Sequence, residues 1–270
     1  MVPCTPPRHP IAALRVRAFS LLELIAVVAI IGVVMAFLVP AYTSIKSASD
    51  LVQATNGVAG ALERARTYAM ANNLYVYVGI TEVNSDVPAQ TTPQTPATGS
   101  GGGRLAMVAV AVRDGTRGYD LLSMLPNPAW TAYNRGAALI PLGKLETFEN
   151  VHLAASLGTT PETGSMARPA VSGSYILGNS ACKSITPFSW PLASDIGGGQ
   201  YTFDKVIQFD PQGVARIQYS TNQDIIVGWM EVALQQTHGS IIPSESASPT
   251  GAIAAVQIDG MTGAVRVYRP

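Results

Sequence analysis

The chain has 270 residues, 47% of them hydrophobic and 13% charged, with a formal net charge of zero. Charged residues are about half as frequent as the ~25% usual in soluble domains, and no broadly basic surface exists to attract nucleic acid. Cys4 lies in a basic leader and Cys182 is the only other cysteine, so loss of the leader would leave no internal disulfide and a fold that rests on its own core.

The leader, residues 1–18, carries Arg8, Arg15 and Arg17 and no acid. From Leu24 to Val39 the only residue types are Ile, Val, Ala, Leu, Met, Phe and Gly. With Phe19 to Leu22 this makes an apolar run of about twenty residues, or ~30 Å of helix, enough to cross a hydrocarbon core. Arginines before it and only Lys46 closely after it place the N-terminus in the cytoplasm and the bulk of the chain outside. Glu23 interrupts the run near its start. A lone carboxylate there costs roughly 2.5–3.5 kcal/mol on insertion scales, so a partner charge is expected. An ordinary secretory signal peptide cut after Ala41 is the alternative. Against it stand the length of the run, the acid inside it and an amphipathic pattern that continues past the cut. Pro40 lacks an amide donor and crowds the carbonyl of Ala36, so it either kinks the helix or marks the membrane boundary. Gly32 is a second weak point or a site of close helix packing.

The stretch Arg17-Ala18-Phe19-Ser20-Leu21-Leu22-Glu23 resembles the type IV prepilin motif. The resemblance implies cleavage by a prepilin peptidase between Ala18 and Phe19, then N-methylation of the Phe19 amine. The family usually has Gly before the cut, where Ala18 stands here. The resemblance also implies assembly into a filament, in which Glu23 of one subunit neutralises the Phe19 amine of its neighbour. Pairing would remove the cost of two isolated charges in lipid and so select the register.

Beyond Pro40, residues 41–72 continue as an amphipathic helix. Leu51, Thr55, Val58, Leu62, Ala65 and Ala69 form one stripe, and Gln53, Asn56, Glu63 and Arg66 lie on the polar side. Asn72-Asn73 is a stop signal. Leu74 to Ile80 reads as a strand. The segment Leu62-Glu-Arg-Ala-Arg-Thr-Tyr-Ala69, with Asn72-Asn73-Leu74-Tyr75-Val76, resembles H-type (GspH-like and FimT-like) minor pseudopilins. Length and layout also resemble the Verru_Chthon cassette protein D group.

Residues 83–103, rich in Pro, Thr, Gln and Gly, read as a long exposed loop. Arg104 to Arg113 reads as a strand with Asp114-Gly115 as its turn, and Tyr119 to Leu125 as its hairpin partner. Residues 126–200 read as a long, loop-rich insertion with candidate strands at Ala137 to Leu142, Val151 to Ala155 and Tyr175 to Leu177, and loops at 158–164 and 195–199. Such an insertion is where an individual binding specificity would sit. Lys205 to Phe209 and Val214 to Tyr219 form a hairpin across Asp210-Pro211-Gln212-Gly213. Asp224 to Leu234 is a further strand, and Ala252 to Ile258 with Ala264 to Tyr268 a final hairpin. This last third also resembles the H-type group. The expected fold is therefore α+β and type IV pilin-like. A long N-terminal helix, its first half transmembrane (19–40), packs by its second half on an antiparallel β-rich exported domain, 73–270.

Chemistry is sparse. His9, His152 and His238 are scattered, and His152 in Asn-Val-His-Leu-Ala reads as a packed or edge histidine. No Cys/His cluster has zinc spacing, no Ser/His/Asp set can be assigned, and Asp195, Asp204 and Asp210 match no calcium loop. No enzyme activity, metal or cofactor is expected. The resemblance implies a single-pass inner-membrane protein with its C-terminal domain in the periplasm or outside. It would be incorporated into a type IV pilus or type II secretion pseudopilus. The implied partners are prepilin peptidase, other pilin or pseudopilin subunits, an inner-membrane platform protein and an assembly ATPase. Two alternatives carry different functions. One is a DNA-binding minor pilin using Arg266 and Arg269, although the tail is sparse beside a basic patch and nucleic acid is not the expected partner. The other is an ordinary secreted β-rich binding protein.

Overall fold

The computed structural model describes residues 20–97, 101–118, 130, 139–157, 166–192, 194, 198–217, 226–242 and 252–270, with the backbone alone for 38–45 and 47. The chain divides into two compact units, Met1–Thr43 and Ser44–Pro270. One helix, α1 (Leu21–Asn72), begins in the first unit and ends in the second. Among the described residues twelve strands follow: β1 (Val76–Asn84), β2 (Gly103–Val112), β3 (Leu139–Pro141), β4 (Glu146–Glu149), β5 (Val151–Leu153), β6 (Phe188–Trp190), β7 (Tyr201–Phe203), β8 (Lys205–Phe209), β9 (Ala215–Ile217), β10 (Trp229–Gln236), β11 (Ile253–Asp259) and β12 (Val265–Tyr268). The protein is α+β, and every named strand pair is antiparallel.

In the second unit the stripe expected on α1 is the buried one. Leu51, Thr55, Val58, Leu62, Ala65 and Ala69 are all buried. Their steps of four and three keep them on one face of a 3.6-residue period. Thr55 turns its hydroxyl back to the Leu51 carbonyl at 2.7 Å, which satisfies it inside the core. The helix stops where the sequence says it should. Asn73 takes a left-handed φ of 54°, Leu74 N–H donates to the Ala69 carbonyl at 3.1 Å, and the Asn72 amide donates to the Tyr68 carbonyl at 3.0 Å. That is a Schellman end with Asn in the place more often held by Gly.

The first sheet has the order β3-β2-β1-β8-β9, with β4 also paired to β2; the second has the order β12-β11-β10-β5, and β6 and β7 form a separate ribbon. One face of the first sheet, with Val76, Val78, Ile80, Leu105, Met107, Ile207 and Phe209, shares a core with the α1 stripe. Met230, Val232, Leu234, Val256 and Ile258 of the second sheet complete that core. The alternate residues of β1 and β2 are buried too. Tyr77, Ala106, Val108, Val110 and Val112 pack with Trp130, Phe188, Tyr201 and Phe203. Gly79 is the point of closest approach, since a Cβ there would stand 2.6 Å from Phe188 Cζ and 2.7 Å from Phe203 Cβ. Ala154, Leu157, Met166 and Ile176 cover the outer side of the second sheet over Ala233, Ile253 and Ala255.

Several expectations need correction. Among the described residues, 126–200 hold four short strands, β3, β4, β5 and β6, of which β4 and β6 had no counterpart in the sequence reading. Strands of three or four residues are too short to show a period of two. Tyr175 to Leu177 is not a strand; Gly173–Tyr175 is a 3-10 turn, and Ile176 makes one parallel bridge to Glu231. The loop placed at 83–103 starts later, because β1 runs on through Asn84 and Val83 bridges Pro96. Nor does that loop hang free. Buried Arg104 donates to the carbonyls of Val87 (2.8 Å) and Ser85 (3.3 Å) and pairs with Glu149, tying the loop to the sheet. The strand expected from Asp224 begins at Trp229. The helix passes through Pro40 without interruption, so an opening of the helix there is not seen. The strand expected at Tyr119 to Leu125 and the loop at 158–164 lie outside the described residues, as do Asp195, Asp224, Gln218 and Tyr219.

Candidate functional site

The first turn of α1 is built by Ser20 and Glu23. Ser20 precedes the helix, and its Oγ accepts the Glu23 N–H at 3.1 Å. Helix N-termini leave four N–H groups without intrahelical acceptors, and a Ser side chain at the N-cap satisfies one of them. Ser-x-x-Glu is the spacing of a capping box. The Glu23 carboxylate makes no hydrogen bond or ion pair with any described residue. Ala18 and Phe19 lie outside the described residues. Gly32 has nothing within 4 Å of the place a Cβ would occupy.

From Leu21 to Phe37 every side chain of the first unit is exposed, Leu22 to 79% and Phe37 to 77%. Twelve of them are large and apolar, and at 100° per residue they cover all sides of the helix. Burying them would be worth on the order of 20 kcal/mol, more than the ~5–15 kcal/mol that holds a whole domain folded. A helix apolar all round is a helix that something else covers. Among the described residues, no helix is long and apolar enough to cross a membrane. The described apolar side chains end at Phe37, whereas the expected span continues to Pro40.

The two C-terminal arginines are occupied within the chain. Arg266 lies over the Trp229 ring at 5.2 Å, and Arg269 donates to Asn56 Oδ1 on α1 at 2.7 Å. Arg216, which precedes them by one hairpin, is buried and faces Asp210 at 3.6 Å. The three do not form a common solvent-facing basic patch.

The second unit contains a polar cleft of about 530 Å³, lined by Glu82, His152, Ser180, Lys183, Asp204 and Lys205 among others. Glu82, which lines it, went unremarked in the sequence; a single acid inside the apolar run of β1 was the available signal. Its carboxylate accepts from Gly103 N–H (2.8 Å), Leu153 N–H (2.9 Å) and His152 Nδ1 (2.8 Å). One buried acid thus joins β1 of the first sheet to β5 of the second. His152 is the packed histidine expected, but with an ionic partner that the sequence did not reveal. Its Nε2 is buried without a hydrogen-bond partner. Lys205 gives its ammonium to the carbonyls of Asn179 (2.6 Å) and Cys182 (2.7 Å), and burial lowers its pKa. Cys182 is buried as a free thiol, and burial pushes its pKa up to about 11. Its thiol is therefore held in the unreactive form. Among the described residues no group of three or more His, Cys, Asp or Glu is placed to hold a metal ion. Asp210 does turn work instead: its Oδ1 accepts from Gln212 and Val214 N–H, both at 2.9 Å.

No protein-family model matches the chain, and the searches of curated proteins and of solved structures gave no match either.

Proposed function

We propose that the chain is a non-enzymatic, type IV pilin-like subunit, a minor pilin or pseudopilin. The observation that carries this reading is the first part of α1. It is apolar and exposed on every side from Leu21 to Phe37, with one acid, Glu23, in its first turn that has no partner among the described residues, and a basic leader before it. Lipid covers such a surface before assembly, and the same helices of neighbouring subunits cover it afterwards. In this reading the chain is cut between Ala18 and Phe19 and methylated on the Phe19 amine. It waits as a single-pass protein of the bacterial inner membrane with residues 44–270 outside. A platform protein and an assembly ATPase then draw it into a pilus or a type II secretion pseudopilus. Glu23 pairs with the Phe19 amine of a neighbour. Gly32 provides a place for close helix approach, and Pro40 marks the end of the span.

The test is replacement of Glu23 by Leu, followed by measurement of the chain in sheared filaments and in membranes. Incorporation should fall at least tenfold while the membrane level holds, since an unpaired cationic amine in lipid costs several kcal/mol. Unchanged incorporation would sink the charge-pairing mechanism.

A further inference from the structure

We propose that the polar cleft of the second unit binds a small zwitterion, a free amino acid or dipeptide. The ligand gives its ammonium to Asp204 and His152 and its carboxylate to Lys183 and Lys205. The cleft lies wholly within the second unit, so this binding goes beyond the assembly reading and does not depend on it. Its volume, about 530 Å³, is that of a ligand pocket, ~300–1,000 Å³.

The polar groups of the cleft divide into spent and unspent. Glu82 is spent, since its two oxygens accept from two backbone amides and from His152 Nδ1. A carboxylate only accepts, so Nδ1 carries the proton and Nε2 is the free end of the ring. That Nε2 has no hydrogen-bond partner, on a side chain only 8% exposed. A buried polar atom left without a partner is a group that a ligand can complete. Lys205 spends two of its three donors on the carbonyls of Asn179 and Cys182 and keeps the third. Half-buried Asp204 holds the Ser184 N–H with its backbone carbonyl at 2.8 Å. Its carboxylate makes no hydrogen bond or ion pair with any described residue, and neither does the exposed ammonium of Lys183.

The wall that carries Lys183 is fixed before a ligand arrives. Leu177 N–H donates to the Glu231 carbonyl at 2.9 Å, and Cys182 N–H to the Asn179 carbonyl at 3.0 Å. Gly178 lies so close to the end of β5 that a Cβ there would stand 2.0 Å from the Ala154 carbonyl oxygen. A preformed wall spares the ligand the cost of ordering it. Charge then selects the ligand. A simple anion would meet the Asp204 carboxylate, and a simple cation would meet two lysines. Among the described residues no Trp, Tyr or Phe lines the cleft, so a sugar ring finds no stacking face. An apolar ligand would leave Nε2, Asp204 and Lys183 as they are. A zwitterion answers both signs at once.

The full chain, purified in detergent micelles, is titrated calorimetrically with four peptides. Dialanine carries both terminal charges, N-acetyl-dialanine the carboxylate alone, dialanine amide the ammonium alone, and N-acetyl-dialanine amide neither. Dialanine should saturate the chain, and each capped form should bind about tenfold more weakly or worse, the factor that a hydrogen bond to a charged group carries. Asp204→Asn should weaken dialanine about tenfold and leave N-acetyl-dialanine unchanged. Lys183→Met should weaken dialanine and leave dialanine amide unchanged. On saturation with dialanine the nitrogen resonance of His152 Nε2 should move. Absence of saturable dialanine binding in the millimolar range would overturn the proposal. So would equal binding of all four peptides, an unmoved His152 resonance, or dialanine binding that both variants leave intact. The four titrations of the wild-type chain need no variant, so the test stands even where a variant fails to fold.

Discussion

At the scale of single residues, polar groups of the second unit are spent on holding turns and joining layers. Asp210 and Asp259 show the pattern twice. Each closes a hairpin by accepting from two amides beyond it, Gln212 and Val214 in one case and Met261 and Thr262 in the other. Each turn ends on a glycine at positive φ, Gly213 at 84° and Gly263 at 66°, a conformation that glycine adopts without a Cβ penalty. Cys182 gives a prediction whose sign can be worked out. Burial raises the thiol from 9.0 to about 11 in the folded state. The folded chain therefore keeps the proton over a range in which the unfolded chain loses it. The stability linked to this group is fully present below pH 9.0 and is lost as pH rises toward 11. The loss amounts to on the order of 2 kcal/mol. Urea unfolding of wild type and Cys182→Ala between pH 8 and 11 should therefore show a steeper alkaline decline for wild type. Parallel curves would contradict the assignment. Buried tyrosine Tyr201, whose pKa is also raised by burial, contributes equally to both curves.

At the scale of elements, the outer face of the second sheet is covered by a segment, Met166 to Leu177, that contains no strand of its own. It is fastened by one buried ion pair. Arg168 meets Glu231 of β10 with two bonds, Nε to Oε2 at 2.8 Å and Nη2 to Oε1 at 3.1 Å. Gln257 of β11 donates to the same carboxylate at 2.8 Å and to the Pro169 carbonyl at 2.9 Å. Removing one partner of such a pair leaves a buried charge without its counter-charge, at a cost of about 3–5 kcal/mol. Arg168→Met should lower stability by that order and raise hydrogen exchange in the covering segment. The double variant Arg168→Met/Glu231→Met should recover a good part of the loss, and a fully additive double variant would contradict a clamp. None of this was legible in the sequence. Arg168 and Glu231 are 63 residues apart, and nothing local ties them. What was legible is what has a period. The α1 stripe, β1, β2, the β8–β9 hairpin and the β11–β12 hairpin all follow from spacing or from turns that open on Asp and end on Gly. Three-residue strands such as β6 and β7 have neither, and only the aromatic contacts of Phe188 and Phe203, with ring centroids 5.1 Å apart, explain them.

At the scale of the whole molecule, described residues of the long middle region help to cover both sheets. β1, β2, β10 and β11 are buried along nearly their whole length. Antiparallel sheets often leave one face to water, but both of these sheets are covered on the side away from α1. The covers are Trp130 with β6 and β7 on one, and Ala154, Leu157, Met166 and Ile176 on the other. Among the described residues, Trp130, Leu139, Phe148, Val151, Leu153 and Phe188 of this region are thus part of the core. The continuous apolar runs of β2 and β11 were the available signal that both faces would be hidden. Along the described part of the first unit the opposite holds: the apolar surface from Leu21 to Phe37 is laid bare, and the Glu23 carboxylate has no partner among the described residues. That contrast motivates the assembly reading, and the N-terminus decides it. Intact mass and tandem mass spectrometry of the chain taken from membranes would read the first residue directly. The account predicts a mature chain that starts at Phe19 with an N-methylated amine. A chain that starts at Tyr42, or that keeps its leader intact, would contradict it.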